Sequence, residues 1–120
     1  MRRARSAALL FLVLAMLAAA GCGSTSYYEW GRYEDSIYKV TIRPDGFDLQ
    51  AEIDSLEQQL EKTAAKQRPV PPGLHAHVGF LHSIAGNLDA ARGHFEEEKA
   101  LYPESARFID GLLARMGPRS

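Results

Sequence analysis

Residues 72–105 read PGLHAHVGFLHSIAGNLDAARGHFEEEKALYPES. Two helices separated by Gly86-Asn87 account for the stretch. A proline is tolerated at the start of a helix, where its missing N–H would have no partner, so Pro72 predicts a helix running to about Ala85. Gly86 can take the left-handed conformation that closes a helix, and Asn87 suits the cap of the next. The following helix runs from about Leu88 to Leu101, and Pro103 stops it. Gly79 has no side chain and Ala91 only a methyl, so the two helices can approach closely there while Phe95 fills the space between them. Downstream, Glu104 to Met116 predicts a further helix, with Ala106, Ile109, Leu112 and Leu113 available for packing and Gly117-Pro118 closing it.

The same 34 residues resemble one tetratricopeptide repeat, a helix–turn–helix unit. Gly79 and Ala91 stand at its small positions, Phe95 at its large aromatic and Pro103 at its closing proline. Three positions depart from the pattern. His75 stands for a tryptophan, His82 for a tyrosine and Glu98 for an alanine. The resemblance implies an inner groove lined by Gly73, Ala76, Phe80, Ser83 and Ile84, with Glu104 beginning the next helix. A single repeat cannot bury its own faces, so neighbouring helices must cover it. The expected fold is all-α, a right-handed stack of about five helices over residues 29–117.

Upstream, Leu49, Ile53, Leu56 and Leu60 step by helical spacing along one stripe of a helix over 46–67. Asp48 and Glu52 suit its positive start, and Lys62 and Lys66 its end. Packing within the domain competes there with a short coiled coil. Arg43-Pro44-Asp45-Gly46 is a turn, and Trp30 to about Ile42 is a first helix, although Tyr, Val, Thr and Ile also suit a strand. The prolines at 69, 71 and 72 predict an extended break. Tyr27, Tyr28, Trp30, Tyr33 and Tyr38 form an aromatic cluster, read either as core or as a partner contact.

The chain begins with Arg2, Arg3 and Arg5, then an apolar run from Ala7 to Ala20, then Gly21 and Cys22, the single cysteine. This is the layout of a signal peptide over residues 1–21. The junction resembles the lipobox of bacterial lipoproteins, with Ala19 in place of the usual leucine. The resemblance implies acylation, palmitate included, at Cys22 and a lipidated tether over 22–28. Gly23, not aspartate, follows the cysteine, which in that family implies an outer-membrane lipoprotein facing the periplasm. Removal of the leader takes three arginines and leaves 11 basic residues against 15 acidic ones, a balance of −4. A mildly acidic chain without a basic stripe is a poor partner for nucleic acid.

The whole mature region is similar to a family of small bacterial lipoproteins carrying a domain of unknown function, number 4810. The similarity rests on Tyr28-Glu29-Trp30-Gly31-Arg32-Tyr33, on Val70 to Leu74 and on Phe95 to Ser105. Genes of that family tend to neighbour a CsgG-like lipoprotein, which implies a partner in an envelope or secretion-type assembly.

No serine elbow, HExxH motif, phosphate loop or cysteine nucleophile is present, so no enzyme, cofactor or small-molecule substrate is expected. His75, His77, His82 and His94 read as packing residues, because the seven-residue step from His75 to His82 is wider than usual ligand pairs. Glu96-Glu97-Glu98 reads as a solvated face, since successive helical residues diverge. The function expected is protein binding as an adaptor, with Phe80, Ile84, Trp30, Tyr33 and Tyr38 as contacts. A periplasmic metal- or ligand-binding lipoprotein using the histidines, and a purely structural envelope lipoprotein, are the alternatives.

Overall fold

The structure, a computed structural model, describes residues 26–43 and 45–118 together with Met1 and Ser6. The rest of the leader, Cys22, Gly23 and Pro44 lie outside the described residues. Among those described, five α-helices and no strand occur: α1 Tyr33–Ile42, α2 Leu49–Ala65, α3 Leu74–Ile84, α4 Leu88–Leu101 and α5 Ala106–Arg115. The fold is all-α, and the first element is a helix, not a strand.

Helix ends follow from local chemistry. The helix expected over 46–67 starts at Leu49, because the Asp48 carboxylate accepts the Ala51 N–H at 3.0 Å as its cap. It ends at Ala65, since Gln67 takes a positive φ of 51° and the Arg68 N–H turns back to the Thr63 carbonyl at 3.1 Å. Pro72 does not open α3. Gly73 follows it with φ 89°, a left-handed conformation, so regular helix begins only at Leu74. Asn87 gives α4 no side-chain cap; its backbone N–H donates to the His82 carbonyl at 2.9 Å and its carbonyl accepts the Ala91 N–H at 3.0 Å. The last helix is preceded by a 3₁₀ turn over Pro103–Ser105, closed by the Ser105 N–H on the Tyr102 carbonyl at 2.9 Å.

The helices pair into hairpins. The Arg32 N–H meets Gln59 and Lys39 faces Glu52, so α1 and α2 run antiparallel. Gly79 lies against Ala91 and Phe95, and Ala76 meets Glu98, so α3 and α4 do the same. α5 folds back on α4, with Lys99 paired to Asp110 at 2.9 Å and the Arg92 guanidinium donating to the Met116 carbonyl at 3.1 Å. α1 and α3 run in the same direction, because Tyr33 packs on Gly73 and Ser36 bonds His77. The result is two hairpins and the first helix of a third, stacked side by side.

Two apolar clusters hold the stack. Tyr33, Ile53, Leu56, Leu74, Val78 and Leu81 are buried together, with Trp30, Val40, Phe47, Leu49, Leu60 and Val70 around them. Ala91, Phe95 and Ile109 form the second, edged by Ala76, Leu112, Leu113 and Met116. Helix α3 contributes to both, so it is the spine of the molecule. Burying each large aliphatic side chain contributes about 1.5–3 kcal/mol. The stripe of α2 is therefore an intrachain core, not a coiled-coil seam.

Candidate functional site

The first helices of the three units, α1, α3 and α5, share one face. Between them lies a groove of about 450 Å³ lined by Tyr33, Ile37, Gly73, Ala76, His77, Phe80, Phe108 and Leu112. Its walls are mostly apolar. Phe80 is 45% exposed and Phe108 66% exposed, and Ile37 also reaches solvent. Gly73 shapes the floor, since a Cβ there would collide with the Tyr33 hydroxyl. Burial, with the Glu98 charge nearby, pushes that hydroxyl above the ordinary phenol range, so it stays protonated. His77 borders the groove and bonds Ser36 Oγ through Nε2 at 2.9 Å. Burial depresses its pKa, against a weaker pull from Glu52.

The start of α3 is fixed by a residue from α4. Glu98 is only 3% exposed. One carboxylate oxygen accepts the Gly73 N–H at 2.7 Å and the other the Ala76 N–H at 3.3 Å. The carboxylate thus satisfies two N–H groups that Gly73, lacking a side chain, cannot cap, and it faces the positive end of the helix. This corrects the reading of Glu96-Glu97-Glu98 as a solvated face. Glu96 and Glu97 are exposed, and Glu98 is a buried cap. The available signal was the glutamate at a position where the repeat pattern keeps alanine.

On the opposite side of α3 the histidines gather. His82 Nε2 lies 2.8 Å from Glu57 Oε1 of α2, and His94 Nε2 of α4 lies 3.8 Å from the same oxygen. The His82 and His94 rings stack with centroids 5.4 Å apart. The second nitrogen of His94, Nδ1, lies 3.0 Å from His75 Nδ1. Burial lowers the pKa of both His75 and His94, neighbouring imidazoles add to the effect, and nearby glutamates oppose it. The sequence paired His75 with His82 along one helix; the structure inserts His94 between them across the hairpin and adds Glu57.

The expected contact residues separate. Phe80 lies in the groove, whereas Ile84 and Tyr38 are exposed but line none of it. Tyr33 is 8% exposed and belongs to the core, with Trp30 stacked on it at 6.1 Å, half-buried. Tyr33 is therefore corrected from a free contact to a buried floor of the groove. Sequence reasoning missed Ile37, Phe108 and Leu112 as groove residues. Phe108 is a large apolar residue off the packing stripe of its helix, and that was the signal. A Cβ on Gly79 would come within 2.8 Å of the Phe95 ring and 3.1 Å of the Ala91 carbonyl.

Among the described residues no helix is long and apolar enough to cross a membrane. Comparison with curated proteins gives no match, and comparison with solved structures gives none. A family model, DUF4810, a domain of unknown function, matches residues 27–112. That span contains α1 to α4, both core clusters' main residues and every residue lining the groove, and the chain belongs to the DUF4810 family.

Proposed function

We propose that this chain is a non-enzymatic adaptor that binds a segment of another envelope protein in the groove between α1, α3 and α5. The observation that carries the reading is the convergence of Ile37, Phe80 and Phe108 on one apolar groove while all three remain exposed. Exposed aromatics gathered in a concavity favour an apolar partner face such as an amphipathic helix. The basic start, the apolar run and the single cysteine support anchoring through acyl chains on Cys22 at the periplasmic face of the outer membrane. The family resemblance makes a CsgG-like lipoprotein the first partner to test.

Site-specific photocrosslinking in intact cells tests the groove. A photoreactive residue at Phe108 should capture one envelope protein, and the same probe at the exposed Glu61 of α2 should not. Phe80→Ser should remove the capture at 108 while leaving the helical content unchanged. Equal capture from both positions, or none from 108, overturns the reading. Metabolic labelling with an alkyne fatty acid tests the anchor, and label persisting in Cys22→Ser would sink it.

A further inference from the structure

We infer that Glu57, His82 and His94 form a binding site for a divalent transition-metal ion, zinc by the chemistry of its donors. The three side chains come from three helices, α2, α3 and α4, and their donor atoms all lie within 4.8 Å of one another. Zinc bound at about 2.0–2.1 Å in a tetrahedron holds its ligand atoms roughly 3.3 Å apart. The two measured separations, 2.8 and 3.8 Å from Glu57 Oε1, bracket that value. The third side, between the two imidazole nitrogens, lies within the same 4.8 Å and closes by small rotations of the rings, while the Glu57 carboxylate, 42% exposed, is free to follow. Two imidazoles and one carboxylate suit zinc better than magnesium or calcium, which take oxygen donors.

A plain hydrogen-bonded staple between α2 and α3 needs only Glu57 and His82. It gives no reason for His94 to stack on His82 and aim Nε2 at the same carboxylate oxygen. Its other nitrogen has a distinct task. With His94 Nδ1–H donating to His75 Nδ1 at 3.0 Å, the Nε2 lone pair of His94 is left facing the site. His75 is thus a positioning residue, and Glu97 lies close enough to act on both rings electrostatically. Three protein donors leave one coordination position on the solvent side, beside the exposed Glu57. The site lies across α3 from the groove, since His82 and Phe80 are two residues apart on a helix and so point to opposite sides.

The test uses the full chain in detergent, purified without a polyhistidine tag and stripped with a chelator. Titration with cobalt(II) should produce the intense visible absorption of tetrahedral coordination at one ion per chain, and one equivalent of zinc should abolish it. Zinc should protect His82 and His94 from carbethoxylation by diethyl pyrocarbonate while leaving His77 unchanged, as read by mass spectrometry. Glu57→Gln and His94→Gln should each weaken zinc roughly tenfold or more, and His75→Phe should weaken it less without changing stoichiometry. No tetrahedral band on the wild-type chain overturns the site, whatever the variants do. So does zinc affinity that is unchanged in both Glu57→Gln and His94→Gln.

Discussion

The two hairpins fold back in the same sense and are held by different means. In α3/α4 the backbones approach at Gly79, where Phe95 and Ala91 leave no space for even a methyl group. In α1/α2 the main tie is a side chain that bonds to main chain. Gln59 accepts the Arg32 N–H at 2.9 Å and donates to the carbonyls of Glu29 and Trp30 at 3.0 and 2.9 Å. Lys66 adds an ion pair to Glu29 at 2.6 Å. One hairpin is packed and the other is stitched. Packing needs small and large residues at fixed steps, so it leaves a periodic trace in sequence. A stitch needs one long polar residue whose partners are backbone atoms, and backbone atoms have no sequence.

Four variants would break or sharpen this contrast, measured by urea melts of the full chain in detergent. Phe95→Ala should have the largest effect, a loss of about 3–5 kcal/mol, because it empties the middle of the packed hairpin. Gly79→Leu comes next, at about 1–3 kcal/mol, since the added atoms must displace the Phe95 ring. An unchanged midpoint for Gly79→Leu would mean that the close approach does not hold the pair. Gln59→Ala should cost about 1–2 kcal/mol by leaving the Arg32 N–H and the Glu29 carbonyl without protein partners and the Trp30 carbonyl with the Tyr33 N–H alone. If it proves silent, the stitched hairpin is held by its apolar stripe alone and the contrast fails.

The smallest effect is the pH response of His77. Its folded-state pKa is depressed by burial, with Glu52 of α2 opposing and the neutral Tyr33 and Ser36 of α1 beside it. The unfolded chain therefore binds the proton more readily. The stabilising contribution is complete above the unfolded value of about 6.5 and is lost as pH falls through it towards the folded value. His77→Gln should flatten that part of the stability curve between about pH 7 and pH 5 relative to wild type. Parallel curves for the two proteins would remove His77 from the account.

Much of the fold was legible for the reason the hairpins differ. The step pattern of Leu49, Ile53, Leu56 and Leu60 and the small–large set Gly79, Ala91 and Phe95 gave α2, α3 and α4 nearly to their ends. The ends themselves depended on φ angles at Gln67 and Gly73 that no residue type dictates. Of the candidate groove, Phe80 followed from the repeat resemblance, whereas Phe108 and Ile37 required knowing which helices become neighbours. Glu98 and Glu57 were hidden because each acts on an element distant in sequence. A glutamate beside two others looks solvated until the fold places a helix start against it.

Arg68, just beyond the end of α2, sets a distance. Arg68 bonds the carbonyls of Ser26 and Tyr27, so the chain is clamped to the end of α2 from residue 26 onward, and the stretch expected to act as a tether over 22–28 is shorter by its last three residues. On the proposed anchoring, four peptide steps separate the acylated Cys22 from that clamp. They reach at most about 14 Å when fully extended, less than half the roughly 30 Å thickness of the hydrocarbon layer beneath. The domain would ride at headgroup height, its reach confined to proteins standing in the same membrane.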